Sequence, residues 1–212
     1  MILFDGCSWT YGDELDNPER DRFSTLIGED HVNLGKNGKS NDGILRTTLD
    51  YCESNHVDIA VIQFTKFSRT EIRKSNSNEY DFLSIGNVLK GNETKELSKI
   101  YYEHIHNKNL HVANYHKNKF LLEYYFKTKG IKYYFININN EDINVPKSSW
   151  YNMIDKKPVT SMVSLIGNRF DNPENYCQGR YKKEDKRSGG HPNKRGHSII
   201  ADHISLNIRK AS

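Results

Sequence analysis

Val57-Asp58-Ile59-Ala60-Val61-Ile62-Gln63-Phe64 decides the fold. The run is nearly continuous in apolar residues and has the length of a strand. A strand with one wet face would alternate, so this one reads as a central parallel strand covered on both sides. Upstream, Ile44, Leu45, Thr48, Leu49 and Cys52 form one buried stripe, and Ser40 or Asn41 is placed to cap their helix before it ends near Asn55. His31 to Leu34 reads as a second short strand, and Met1-Ile2-Leu3-Phe4 as a first. Between these, Asn17 or Asp16 with Pro18 opens a short helix that buries Phe23, Leu26 and Ile27.

Downstream, Ile131 to Ile138 (IKYYFINI) reads as a fourth strand. Leu97 to Lys129 is helical, in two segments broken near Asn107 to Asn109, and Asn193 to Ile208 is a terminal helix. Val159 to Ile166 fits a short strand or part of a helix. Residues 73–97 are polar and rich in asparagine, and read as a long irregular excursion, with a lid as one option. Residues 167–190 are expected to be irregular. Strand and helix alternate, which specifies an α/β chain: a three-layer α/β/α sandwich on a parallel sheet, with right-handed crossovers. No internal repeat or dividing boundary is visible, so residues 1–212 are expected to form one domain.

Bulk properties narrow the function. A net charge of +4, with both signs interspersed, argues against nucleic acid as the partner. Mean hydropathy is −0.81, and no apolar run approaches the roughly 20 residues of a membrane span. No secretory signal is visible, and the three cysteines (Cys7, Cys52, Cys177) form no disulfide pattern. A cytoplasmic, reducing compartment is the expectation. The oligomeric state is left open.

The chemistry gathers at loop ends. Gly6-Cys7-Ser8 ends the first strand at the sheet's carboxyl edge, where open α/β sheets keep their ligands. Gly189-Gly190-His191-Pro192-Asn193 sets a histidine just before the terminal helix. A serine hydroxyl becomes nucleophilic when a base removes its proton, and His191 is the base within topological reach. Gly38, in the loop Asn33 to Asn41, reaches the same edge, so its N–H and that of Ser8 are candidate oxyanion donors.

These blocks resemble those of the SGNH (GDSL-type) hydrolases. Gly6-Cys7-Ser8-Trp9-Thr10-Tyr11-Gly12 is similar to the family's first block, with Cys7 where aspartate is usual. Asn33 to Asn41 resembles the second block and sets Gly38 on its oxyanion glycine. His191-Pro192, continuing as HPNxxGH, resembles the last. The resemblance implies a flavodoxin-like sandwich and ester or thioester hydrolysis through Ser8 and His191, with no cofactor and no metal. It also marks two departures. The third-block loop Gln63 to Arg69 lacks the asparagine that completes the oxyanion hole, so Thr65 or Ser68 is the substitute donor. The acid expected two or three residues before the histidine is absent, since Ser188 and Gly189 stand there. Asp185 is the nearest carboxylate. A Ser–His dyad, or a backbone carbonyl behind the imidazole, are the alternatives.

Around this set, Arg69 and Asn41 are read as substrate-binding residues. The alternatives are a salt bridge of Arg69 with Glu71, Asp13 or Glu14, and a capping role for Asn41. Cys7 reads as a buried small residue pointing away from Ser8. His104, His106, His111 and His116 read as a solvated helix face, and His197 and His203 as structural or exposed. The basic residues Lys182, Lys183, Lys186, Arg187, Lys194 and Arg195 read as a solvated loop, and Trp9, Trp150 and Tyr151 as core, lid or sugar-wall residues. The expected activity is cleavage of a small acyl ester, on a small molecule or a glycan. The alternative is a non-catalytic carbohydrate-binding or scaffold protein with the same fold.

Overall fold

The structure is a computed structural model and describes residues 1–75, 77–84, 94–139, 159–178 and 188–210. In chain order come β1 (Ile2–Asp5), α1 (Ser8–Tyr11), α2 (Pro18–Asp21), α3 (Phe23–Leu26), β2 (His31–Asn33), α4 (Asn41–Ser54) and β3 (Ile59–Phe64). They are followed by β4 (Thr70–Arg73), β5 (Tyr80–Leu83), α5 (Lys95–Ile100) with a π-helical turn at Tyr101–Ile105, and α6 (Lys108–Lys129). The chain closes with β6 (Lys132–Asn137), α7 (Met162–Ile166), β7 (Tyr176–Gln178), β8 (Ser188–Pro192) and α8 (Lys194–Lys210).

The sheet has the order β2-β1-β3-β6, and every pairing is parallel. Its register sets Phe4 beside Asn33 on one side and Val61 on the other, with Val61 in turn beside Tyr134. Both faces are covered, and side chains alternate between them. Ile2, Phe4, Val61 and Ile136 pack with Phe23, Met162, Ile200, Ile204 and Ile208 of the α3, α7 and α8 layer. Ala60, Ile62, Phe64 and Phe135 pack with Ile44, Tyr115, Leu122 and Phe126 of the α4 and α6 layer. Completely buried residues such as Phe4 and Phe64 each contribute about 1.5–3 kcal/mol of transfer free energy. This is the three-layer α/β/α sandwich expected from the sequence.

Local expectations hold at several ends. Asn17 Oδ1 accepts from the Arg20 N–H at 3.2 Å, ahead of Pro18. Ser40, rather than Asn41, caps α4 by accepting from the Gly43 N–H at 3.0 Å. Val159 to Ile166 combines both options: Ser161 bridges to Asn137 beside the sheet and then caps α7. Two segments are more regular than expected. The start of the excursion is an antiparallel hairpin, β4 with β5, and the stretch before α8 holds a second, β7 with β8. Residues 85–93 and 179–187 lie outside the described residues. None of the described helices is long and apolar enough to cross a membrane.

His197 fastens α8 to α3. Its Nδ1 accepts from the Phe23 N–H at 3.2 Å, and its ring stacks on Phe23 at 5.7 Å. Burial holds the imidazole neutral, pushing its pKa from 6.5 down to about 3. The unfolded chain therefore takes up a proton, as pH falls from 6.5 towards 3, that the folded chain refuses. Stability supplied by neutral His197 is complete above pH 6.5 and is lost as pH drops, at up to about 1.4 kcal/mol per pH unit. Urea unfolding of wild type and His197→Leu across this range is expected to show the wild type losing stability with acid faster than the variant.

Candidate active site

The site begins where β1 stops. Gly6 leads into Cys7, which precedes the single turn α1 (Ser8–Tyr11). A Cβ at Gly6 would run into Thr10 Oγ1 and the Gln63 side chain, so only glycine fits here. Gln63, completely buried at the end of β3, explains the crowding. Its Oε1 accepts from the Cys7 N–H and from the Thr10 hydroxyl, both at 3.0 Å, and its Nε2 donates to Phe64 O at 2.7 Å. One β3 side chain thus fixes the turn that presents Ser8.

Asp5 and Lys39 fix the opposite side of that turn. Both are buried, and Lys39 Nζ donates to Asp5 Oδ1 and, at 3.0 Å, to Leu34 O. The second Asp5 oxygen accepts from Thr47 Oγ1 at 2.5 Å and Thr48 Oγ1 at 3.0 Å, both on α4. Burial pushes the Asp5 carboxyl up and the Lys39 ammonium down, each opposed by the attraction of the other. Lys39 adjoins Gly38, so the loop after β2 is anchored to the end of β1 from within. Asp42 and Arg46 extend the polar network outward, Asp42 accepting from Asn114 and Asn118, and Arg46 pairing with Glu71 at 3.0 Å.

His191 arrives on β8, not directly before the terminal helix. Pro192 ends that strand, and α8 starts at Lys194. Asn193 makes the link: its Nδ2 donates to Glu174 O at 2.7 Å and Tyr176 O at 3.1 Å, and its Oδ1 accepts from the Gly196 N–H at 3.1 Å. A Cβ at Gly196 would meet Asn175 O, so glycine lets α8 approach the loop closely. Tyr176 also packs edge-on against Trp9, 6.2 Å between ring centres, which holds the hairpin on α1. The result is a contact of 2.8 Å between His191 Nε2 and Ser8 Oγ. Ser8 is 5% exposed.

Two carboxylates of the loop after α1 flank the imidazole. Glu14 Oε2 lies 3.3 Å from His191 Nδ1, and Asp13 Oδ2 lies 3.8 Å from Nε2. In the sequence these residues stand only as possible partners of Arg69. Their signal is position: two acids directly after the turn that carries Ser8. Asp185, the acid expected from the sequence, lies outside the described residues.

The other sequence-derived residues fall as follows. Gly38 has φ +77° and sits beside Phe82 of β5. Neither its N–H nor that of Ser8 donates to a protein acceptor among the described residues. Asn41 is turned inward and corrects its substrate-binding reading: its Oδ1 accepts from the Thr65 N–H at 2.8 Å and its Nδ2 donates to Thr65 O at 3.2 Å. Its amide shapes the third loop instead. Thr65 Oγ1 accepts from Arg69 Nη1 at 2.8 Å, and the guanidinium lies close enough to act on the Cys7 thiol. Cys7 is completely buried, as expected, but does not point away from Ser8, whose Oγ lies 3.8 Å from Cys7 Sγ. Strand alternation ends at Asp5, before it can turn Cys7 away. Burial pushes the Cys7 thiol up, yet Arg69, the Trp9 N–H, Thr65 and Ser8 together hold it below its ordinary value. Glu71 pairs with Arg46, so the Arg69–Glu71 bridge is not formed.

Of the histidines on the long helical region, His104 is exposed as expected, while His106, His111 and His116 pack against neighbouring rings. His111 Nε2 contacts Tyr101 Oη at 2.7 Å and its ring stacks on His106, while burial pushes His116 down to about 4. Among the described residues no three metal-binding side chains converge. Trp150, Tyr151 and the basic residues 182–187 lie outside the described residues.

No family model matches the sequence, and no curated protein does. Solved structures do. A GDSL-like lipase from Bacteroides thetaiotaomicron is 13% identical with a TM-score of 0.52, over 100% of this chain and 88% of that one. A psychrotrophic esterase, EstA, from a Pseudoalteromonas species is 14% identical with a TM-score of 0.51, over 99% and 96%. An esterase active on acetylated mannans is 16% identical with a TM-score of 0.50, over 99% of this chain and 49% of that one. At these identities the likeness is one of fold, and the fold is that of the GDSL-type lipolytic proteins and esterases.

The Asp5–Lys39 pair is expected to behave as a coupled unit. Lys39→Met leaves a buried carboxylate without its counter-charge and should cost about 3–5 kcal/mol in urea unfolding. The double variant Asp5→Leu/Lys39→Met should recover most of that loss, giving a large coupling energy in the four-protein cycle.

Proposed function

We propose that this protein is a serine hydrolase of the SGNH type that cleaves a small acyl ester, with an acetyl group on a carbohydrate as the favoured substrate. The observation that carries the reading is the 2.8 Å contact between Ser8 Oγ and His191 Nε2 at the carboxyl edge of a parallel sheet. Nucleophile and base come from opposite ends of the chain and meet within proton-transfer distance.

In the reaction, His191 Nε2 takes the Ser8 proton as Oγ bonds to the ester carbonyl carbon. The N–H groups of Ser8 and Gly38, which have no acceptor among the described residues to compete, receive the oxyanion. Collapse breaks the bond to the alcohol oxygen, which leaves with the proton from His191. Water then attacks the acyl-enzyme, His191 again accepting a proton, and the carboxylic acid leaves as Ser8 is restored. A second hydroxyl in place of water would make the same site an acyltransferase. The substrate class draws on the polar surroundings of the site and on the fold shared with the esterase active on acetylated mannans. Arg69, beside Thr65 and Cys7, is a cation close to the nucleophile turn and is proposed to face polar groups of the substrate. With the Thr65 N–H taken by Asn41, the third oxyanion donor of the family has no backbone substitute at Thr65, and turnover is expected to be slow.

The test pairs a fluorophosphonate probe with p-nitrophenyl acetate. Wild type should label at Ser8 and hydrolyse the ester. Ser8→Ala and His191→Ala, with unchanged circular dichroism, should lose turnover by about 10³–10⁶-fold. Absence of both Ser8 labelling and Ser8-dependent turnover, with glycan binding that survives Ser8→Ala, would instead establish the carbohydrate-binding alternative.

A further inference from the structure

We propose that Glu14 is the positioning residue that orients His191, so that the nucleophile and the carboxylate behind its base stand on one loop, six residues apart. The proposal rests on the reading of Ser8 and His191 as nucleophile and base. Glu14 Oε2 lies 3.3 Å from His191 Nδ1, on the side of the ring away from Ser8. Both atoms are buried, and neither has a hydrogen-bond partner elsewhere among the described residues. The Glu14 side chain is 12% exposed, and its ion-pair contact among those residues is with His191 alone.

Glu14 also has an unfavourable backbone. Its φ is +69°, and among the described residues it is the one non-glycine with a positive φ. A left-handed glutamate whose Oε2 is buried without a hydrogen-bond donor carries two costs. The loop imposes the conformation. The Asp13 N–H donates to Ser8 O at 2.9 Å, the Leu15 N–H to Gly12 O at 3.3 Å, and Leu15 is buried, so Glu14 is turned back over α1 between two anchors. That turn brings its carboxylate to the imidazole.

The chemical consequence concerns the tautomer. When Nδ1–H donates to Glu14, the Nε2 lone pair faces Ser8 and can accept its proton, and the imidazolium formed next has a carboxylate behind it. Asp13 cannot do this, because it sits 3.8 Å from Nε2, the nitrogen already engaged with Ser8. His197 is held neutral by burial, and its acceptor nitrogen, Nδ1, is taken by the Phe23 N–H, so it offers no acceptor for His191 Nδ1–H.

Nitrogen-15 NMR of histidine-labelled protein, at a pH where the ring is neutral, tests this without requiring activity. Wild-type His191 should show the Nδ1–H tautomer. Glu14→Ala should move the ring towards the Nε2–H form, while Asp13→Asn should not. Fluorophosphonate labelling of Ser8 at saturating probe should slow by about 10³–10⁴-fold in Glu14→Ala. Glu14→Gly should show the same slowing with a melting temperature equal to or above wild type, because glycine accepts the positive φ. An unchanged tautomer in Glu14→Ala, a shift produced by Asp13→Asn instead, or a lowered melting temperature in Glu14→Gly would overturn the proposal. Failure of wild-type Ser8 to label would sink the hydrolase reading instead, and the tautomer would still report on Glu14.

Discussion

The buried pair of Asp5 and Lys39 is the constraint on which the site depends. Two full charges inside a fold gain little net stability, since desolvation offsets their attraction, and a well-packed apolar pair would serve as well or better. Their value here is geometric. Asp5 is the last residue of β1, three residues before Ser8, and Lys39 adjoins the proposed oxyanion glycine. The same carboxylate takes two hydroxyls from α4. One side chain therefore sets the distance between the nucleophile turn, the loop after β2 and the helix that follows it. An apolar pair would hold these parts together without specifying their alignment.

Gln63 completes the same job from the other flank, its amide making three hydrogen bonds. Between them the two residues leave Ser8 little freedom, and placing the histidine becomes the remaining requirement. That falls to β7 and β8, through Trp9 against Tyr176 and through Asn193. Preorganisation of this sort lowers the entropy to be lost when a base and a nucleophile must meet. Asn41 and Thr65 extend it to the third loop, where the Asn41 amide replaces external contacts by two bonds to the backbone of one residue.

The scaffold is legible in the sequence because its signals are local. The apolar run 57–64, the stripe of α4 and the caps at Asn17 and Ser40 each depend on neighbours within a few residues. Ser8 is placed by a related signal, since it follows β1, whose direction the parallel sheet determines; His191 lies instead in the hairpin strand β8, outside that sheet. What cannot be read are the contacts made by polar residues across the fold. Gln63 looks like an interruption of an apolar strand, Lys39 like one more surface lysine in a polar loop, and Asn41 like a ligand to substrate. Periodicity assigns a residue to a face, but it does not say which buried polar atoms will find each other. The hairpins escape notice because their strands are too short, at 3 to 5 residues, to show a sustained alternation.

The carboxylate behind His191 shows the same limit from the side of function. A search by sequence block looks upstream of the histidine, because there a short loop can turn an acid onto its neighbour. The physical requirement is weaker than that: an acceptor must reach Nδ1 from the face away from the serine. A strained residue after the nucleophile turn satisfies it equally well. Once the acid stands on the nucleophile's own loop, the loop before the histidine no longer needs a carboxylate, and Ser188 and Gly189 are compatible with the same chemistry. The departure from the family pattern at the last block and the unusual backbone at Glu14 then have one explanation. If Glu14 orients His191 as proposed, the acid keeps its role in space while its place in the chain changes, and space is the level at which such constellations are recognised.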